Sequence, residues 1–540
     1  KEDPTDVLSA IKMVQPGGVI YLLGGVYSFD STILIEDTNN GADGKYKTIM
    51  AYPGDEVVWD FSAMEVSDSN RGVVLDGDYW YFKGFEITKA GDNGMLLAGN
   101  DNLIELMEFN DNQDTGLQLS RYKTSNADIG SWPSDNLILN CTAKNNCDNE
   151  TMENADGFAA KLTCGEGNVF DGCMSYNNSD DGWDLYAKSE TGPIGVVTIR
   201  NCIAFRNGYT EFGEGFGDCD GNGFKLGGGG IGTAHIVENC LAFENLNCGF
   251  TDNNNPKLGS ISKCTAYNNG IGGNGKPNFS CYRCTDDGCD FSAVLTYVNA
   301  DNFNAALAPG ISSAKIANDK FVGTMENSAY YNGGKYYNVT DKQTINNGDK
   351  IGNIVTITDD DFISLEVAPY VSNSEGSGAD WFDFHKEWRN ADGILNTGGF
   401  LETKDSSEYK DIGIDFQSIE LPIDPIDPPV TTEPIPVTTS STTTAVTTED
   451  VPDSTTEVTT EVIPDGTKYG DVNTDGSVNI ADVVALNMYI LNNEVNAISS
   501  EGKANADCAR DNKIDASDSL TLMNYVAMVI SADKLGQTLE

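Results

Sequence analysis

The sequence predicts an all-β, right-handed parallel β-helix, followed by a disordered linker and a small all-α module. Three observations predict it: a Cys–Asn segment that recurs five times, a column of x-Gly-apolar triplets beside it, and a stretch from about residue 421 to 464 dominated by Pro, Thr, Val and Glu.

Residues 140–146, 172–178, 201–207, 239–245 and 263–269 share the pattern x-Cys-x-small-x-x-Asn. Four of the five carry an aromatic at the fifth position (Tyr176, Phe205, Phe243, Tyr267), and a weaker copy at 326–332 carries Tyr330 there. Their starts lie 32, 29, 38 and 24 residues apart, too irregular for a helical solenoid but natural for coils of short strands joined by variable loops. The second column reads Asn93-Gly94-Met95, Thr115-Gly116-Leu117, Asp156-Gly157-Phe158, Asp181-Gly182-Trp183, Asn222-Gly223-Phe224 and Cys248-Gly249-Phe250. Short Val-, Ile- and Phe-rich strands, a turn Asn at a fixed offset and Gly where the chain bends describe coils stacked in parallel. In such a stack, equivalent Asn side chains bond to one another as a ladder and satisfy turn amides that burial would otherwise orphan. An amphipathic opening at 6–14, followed by Pro16-Gly17-Gly18, reads as a short helix that caps the first coil.

At 540 residues the chain exceeds what one core usually supports. Its 33 Lys and Arg against 83 Asp and Glu give a net charge of −50, which argues against a nucleic-acid or anionic-membrane partner. The surplus is either solvated surface or carboxylate clustered for divalent cations, and only local spacing separates the two. Most of the 13 cysteines sit inside the apolar repeats and read as buried thiols. For Cys281, Cys284 and Cys289 a disulfide or a metal stays open, although no fourth Cys or His stands at zinc-finger spacing. No run of about 18 apolar residues occurs, so no membrane-spanning helix is expected. The start at Lys1 without a signal sequence reads as a mature or trimmed form of an exported protein. His235 and His385 lack ligand spacing and read as structural.

Stacked strands lie about 4.8 Å apart, so matched positions on adjacent coils become neighbours in space. Asp156 and Asp181 both stand just before Gly, and Asp180 and Asp184 flank the second. Four carboxylates so placed repel one another unless a cation is bound, and Ca²⁺, with its six to eight oxygens in flexible geometry, is the natural occupant. The rival reading makes Asp180 and Asp181 solvated turn residues. Lys225 follows the Gly-apolar pair of the next coil, at the position Asp184 holds on its own, and so projects beside the expected metal. An isolated lysine is usually a surface cation, but one beside a divalent ion is poised to act as a general base. Nearby carboxylates oppose this, so the metal-free site should hold Lys225 protonated.

The stretches Asn154-Ala155-Asp156-Gly157-Phe158, Asn178-Ser179-Asp180-Asp181-Gly182-Trp183-Asp184-Leu185 and Gly221-Asn222-Gly223-Phe224-Lys225-Leu226-Gly227 resemble the active-site region of pectate lyases of polysaccharide lyase family nine. The resemblance covers most of residues 1–402, including Val14-Gln15-Pro16-Gly17-Gly18 and Arg389-Asn390-Ala391-Asp392-Gly393. It implies that Asp156, Asp180, Asp181 and Asp184 bind one catalytic Ca²⁺ and that Lys225 removes the C5 proton of a galacturonate ring in pectate (polygalacturonate), cleaving α-1,4-galacturonan by β-elimination. Lys161, in Phe158-Ala159-Ala160-Lys161-Leu162, stands where a cation would hold a substrate carboxylate.

The β-helix is expected to span 1–419, the linker 420–467 and the C-terminal module 468–540. In the module, residues 471–482 place oxygen ligands of a calcium loop at Asp471, Asn473, Asp475, Asn479 and Asp482, with Gly476 at the turn and Ser477 where a backbone carbonyl serves. A second copy offers Asp507, Asp511, Asp515 and Asp518, with Lys513 at the carbonyl position, and departs from the pattern at Ala509 and Asn512. Each loop leads into an apolar-periodic helix, 483–491 and 519–529, and the incoming helix of an ordinary EF-hand is missing before the first. This duplicated loop–helix resembles a type I dockerin with two Ca²⁺. The resemblance implies binding to the cohesin domain of a scaffoldin through Ile480, Ala481, Ala516 and Ser517, and a secreted, extracellular, cellulosome-associated protein. A calcium sensor or buffer is the rival reading.

Two rivals attach to the large module. A β-helical polygalacturonase-type hydrolase would use paired carboxylates as acid and base and need neither calcium nor lysine. A non-catalytic β-helix would bind polysaccharide or calcium only. Elimination alone leaves an ultraviolet-absorbing double bond, which separates the readings.

Overall fold

The computed structural model describes residues 5–208, 219–270, 276–286, 288–298, 319–346, 348–366, 383–419, 468–474, 478, 480–491, 498–508, 513–514, 518–519 and 521–522. The chain divides into two compact units, 1–434 and 435–540. The expected linker, 420–467, lies outside the described residues.

The repeat pattern of the first unit is a corner that forces a coil. In the coil holding Cys141, the strand Leu137–Leu139 ends, Asn140 turns the chain at φ 53°, and the strand Thr142–Lys144 begins at once. Asn145 at φ 56° ends that strand in turn. Gly172, Asn201, Asn239 and Lys263 occupy the same left-handed corner on the following coils, at φ between 50° and 67°. Asn tolerates this region better than other side chains, which is why it recurs there.

Each coil gives one strand to each of three sheets, and every third strand in sequence is a hydrogen-bonded neighbour. Among the described residues these sheets hold 12, 13 and 10 strands, all parallel until the last coils. There Gln343–Ile345 pairs antiparallel with Gly323–Glu326, and Lys335–Val339 pairs antiparallel with both Ser328–Asn332 and Asn353–Val355. At the other end the helix Val7–Met13, capped by Asp6 accepting from the Ser9 amide, buries Val7 and Ile11 in the main core.

The asparagine ladder runs unbroken through Asn112, Asn146, Asn178, Asn207, Asn245, Asn269 and Asn278, each Nδ2 donating to the next Oδ1 at 2.8–3.0 Å. Asn332 of the weaker copy does not join, because its Nδ2 donates to the Asp319 carbonyl. All the cysteines are reduced thiols. Residues 383–419 cover the outside of the second sheet, packing Phe384, Trp388, Phe400 and Ile414 on Tyr176, Phe205, Phe243 and Tyr267. Half-buried Arg389 ties this segment down by donating to the Gly172 and Cys141 carbonyls.

His235 is structural. It is 1% exposed, its Nδ1 accepts the Val197 amide at 3.1 Å, and burial pushes its pKa down to about 3. A depressed folded-state pKa gives stability that is present above the unfolded value near 6.5 and lost as pH falls toward 3, a swing on the order of 5 kcal/mol. His235→Asn, which keeps an acceptor for Val197, is expected to flatten the stability profile between pH 6.5 and 3. Denaturant midpoints across that window check it.

In the second unit, helix Ile480–Leu491 packs Val483 and Leu486 on Val472, Ala506, Cys508 and Leu522. It starts three residues before the expected helix. A further helix, Ser500–Ala506, was not anticipated; Ser499 caps it by accepting the Gly502 amide. Of the expected helix 519–529, residues 518–519 and 521–522 are helical and the rest lies outside the described residues.

Candidate active site

Four consecutive strands of the third sheet build the site: Phe158–Ala160, Trp183–Asp184, Phe224–Lys225 and Phe250–Thr251. Their register aligns Ala159, Asp184, Lys225 and Thr251 across the sheet. Alternation sends Phe158, Trp183, Phe224 and Phe250 inward, where successive rings lie 4.7–5.0 Å apart. That aromatic column fixes the strands from within, and Asp184 and Lys225 project from the outer face.

The residues before the glycines of the Gly-apolar column form a second ladder. Asp156 Oδ1 accepts the Asp181 amide at 3.2 Å, Asp181 Oδ1 accepts the Asn222 amide and Nδ2 at 2.7 and 2.8 Å, and Asn222 Oδ1 accepts the Cys248 amide at 3.1 Å. One oxygen of Asp156 and of Asp181 is thus occupied by the turn, and the other faces the site. Asp180 accepts from the Asn154 amide at 3.0 Å and the Asp220 amide at 2.6 Å.

Two lysines enter this carboxylate cluster. Lys225 Nζ lies 2.9 Å from Asp181 Oδ2, 2.9 Å from Asp220 Oδ2 and 3.7 Å from Asp184 Oδ2. Lys161 Nζ lies 2.6 Å from Asp156 Oδ2 and 3.5 Å from Asp184 Oδ2. Lys161, expected to hold a substrate carboxylate, is 7% exposed and turned into the cluster. Asp220 was missed by sequence reasoning; its only signal is an acidic residue just ahead of Gly221-Asn222-Gly223.

Burial pushes the carboxyls of Asp156, Asp180 and Asp181 up. Burial alone would lower the Lys225 ammonium, but Asp181, Asp184, Asp180 and Asp220 outweigh it and hold the group charged, well above its ordinary range. Lys161 is raised in the same way by Asp156, Asp184 and Asp114 against desolvation. Five carboxylates face two ammonium groups, so the cluster is short of positive charge.

Calcium fits that shortage. Oxygens of Asp156, Asp181 and Asp184 lie within 4.8 Å of one another, as do those of Asp180, Asp181 and Asp220. Two ligands at 2.3–2.6 Å from one ion are at most about 5 Å apart. Among the described residues, buried Asp184 Oδ1 accepts no hydrogen bond, leaving a lone pair for a cation. The sequence expectation grouped Asp156, Asp180, Asp181 and Asp184; the structure divides them into two overlapping groups that share Asp181. Beside Asn154 opens a cavity of about 920 Å³ lined by Arg71, Asp92, Asn93, Asp114 and Gln118.

In the second unit Asp471, Asp482 and Asp518 are buried, and Asp482 Oδ1 accepts the Asn473 amide at 3.0 Å, closing the first loop. Asp507 is half-buried and Lys513 exposed. Asp475, Ser477, Asn479, Asp511, Asp515, Ala516 and Ser517 lie outside the described residues, as do the side chains of Ile480 and Ala481.

Comparisons with known proteins bear on the family of each unit. A family model described as "Pel9A-like, right handed beta helix region" matches residues 1–288, and a dockerin type I domain model matches 469–527. Pectate lyase L of Paenibacillus polymyxa (strain SC2) is 50% identical over 262 residues, 48% of this chain and 58% of the relative. Pectate lyase L of Thermoclostridium stercorarium is 46% identical over 274 residues, 50% of this chain and 21% of the relative. The chain therefore spans just over half the length of the first relative and about a fifth of the second. Among solved structures, pectate lyase Pel9A superposes with a TM-score of 0.54 at 26% identity, covering 75% of this chain and 86% of that one. A rhamnogalacturonan lyase at 21% identity and TM-score 0.50 shares the fold.

Proposed function

Because the chain belongs to the Pel9A-like right-handed β-helix family and carries a type I dockerin domain, we propose that it is a calcium-dependent pectate lyase attached to a cellulosome. The observation that carries this reading is Lys225, aligned with Asp184 on adjacent strands and ringed by carboxylates within 3.7 Å. A bound Ca²⁺ would neutralise the uronate carboxylate, stabilise the charge that develops beside it and lower the proton affinity of Lys225.

Lys225 Nζ then takes the C5 proton, the C5–H electrons form the C4–C5 double bond, and the C4–O4 bond breaks. The leaving oxygen takes up a proton, and no water is consumed. Asp181 and Asp220 hold the Lys225 nitrogen in place from two sides, and the aromatic column fixes from within the strand that carries it. Lys161 neutralises Asp156 and Asp184, and we assign it contact with a substrate carboxylate only where an ion displaces it from them. The hydrolase alternative needs an acid and a base facing each other across the sugar, whereas these carboxylates converge on one point with lysines among them.

The second unit is proposed to bind two Ca²⁺ through Asp471–Asp482 and Asp507–Asp518 loop ligands and to dock a cohesin through the start of helix Ile480–Leu491 and its counterpart at Ala516 and Ser517. We place the protein outside the cell on that basis, with module boundaries near 419 and 468.

Polygalacturonate with Ca²⁺ is expected to gain ultraviolet absorbance from the new double bond, and chelator to stop it. Reducing ends without absorbance would make the protein a hydrolase, and binding without either would leave a non-catalytic module.

A further inference from the structure

We propose that Arg283, Tyr282 and Lys320 form a second recognition point for uronate carboxylates, in line with Lys225; this rests on the polyuronate substrate proposed above. The register continues past the active site, pairing Lys225 with Thr251, Thr251 with Ser280 and Ser280 with Lys320. These four side chains share the outer face of the third sheet, because Phe250, Phe279 and Phe321 between them are buried inside. At about 4.8 Å per strand, the row leads from the base to a cation three strands on.

Arg283 reaches the same face. Its Nη2 donates to Thr251 Oγ1 at 3.0 Å, on the strand next to Lys225, and its Nε donates to Asp252 Oδ1 at 2.6 Å. The Arg283 amide donates to the other oxygen of Asp252, which is fully buried. Clamped at Nε and Nη2, the Arg283 side chain is 28% exposed, and its Nη1 makes no hydrogen bond among the described residues. A planar fork fixed on one edge and open on the other is suited to a carboxylate.

The second cation is held to the first by a ring. Arg283 lies 4.8 Å and Lys320 5.0 Å from the centre of the Tyr282 ring. Lys320 forms no ion pair among the described residues, although acids outnumber bases 83 to 33 in this chain. A π-face keeps two cations close without consuming their charge, which a carboxylate would do. A polyuronate lying across the strands therefore meets Lys225 and the carboxylate cluster at one point and an array of cationic donors at the next.

The test uses the full chain with Ca²⁺ and measures kcat and KM for elimination on polygalacturonate. Arg283→Gln is expected to raise KM about tenfold with kcat within about twofold. Lys320→Gln is expected to raise KM severalfold, and Lys320→Arg to restore it. Should Arg283→Gln fail to fold, the Lys320 pair carries the same expectation. Unchanged KM in the folded variants, or a fall in kcat at constant KM, overturns the recognition point and leaves the lyase reading standing. Absence of elimination by the unaltered chain overturns both.

Discussion

Lys225→Ala is expected to reduce elimination of polygalacturonate by about 10³–10⁴-fold, near the upper range for losing a positioned general base. Lys161, the other lysine of the cluster, is held by Asp156 and Asp184 and is not placed to replace it. Removing an ammonium from five carboxylates has a second effect of predictable sign. Metal-free protein loses stability, calcium binds more tightly, and the calcium-loaded variant melts near the unaltered chain. Rescue separates a base from a mere counter-charge. Small primary amines should restore elimination at rates that follow their basicity, whereas a positioning cation would show no such dependence.

Asp181→Asn is expected to lower calcium-dependent elimination by at least about 10²-fold while leaving the fold intact. The substitution keeps the oxygen that accepts from Asn222 and removes the one charge common to both carboxylate groups. In chelator the variant should melt at or above the unaltered chain, because a buried repulsion has been relieved. With calcium it should lose the gain that the unaltered chain shows. All six tryptophans lie at or before residue 388, so their fluorescence reports the first unit and not the calcium loops of the second. A calcium-induced gain that survives Asp181→Asn would remove this cluster as the metal's place.

Much of this site was legible because the repeat is a ruler. Once the Gly-apolar column is aligned, Asp156 and Asp181 fall on one rung, and Asp184 and Lys225 on the next row. What the ruler lacks is direction. It cannot tell that Lys161 turns inward to Asp156, because that depends on unmet charge, not on spacing. Asp220 escaped because seventeen residues separate it from Cys202, too irregular a spacing for the pattern to carry a position across. The ladder likewise extends beyond its Cys markers: Asn112 follows Met107 in place of Cys, and Asn278 comes only nine residues after Asn269. The segment 383–419 showed no period at all, since it lies against an aromatic surface that was itself built by the repeats.

The reversal of strand direction in the last coils bears on solubility. A stack of parallel coils is a growing surface: every coil exposes a row of amides and carbonyls matched to another like it, and nothing in the repeat says stop. Lys335–Val339 and Gln343–Ile345 spend that row on the chain's own antiparallel partners, and the helix Val7–Met13 lies over the opposite end. Without these stoppers, one molecule's last coil would template the first coil of another, and the folded chain would become the seed of a fibre.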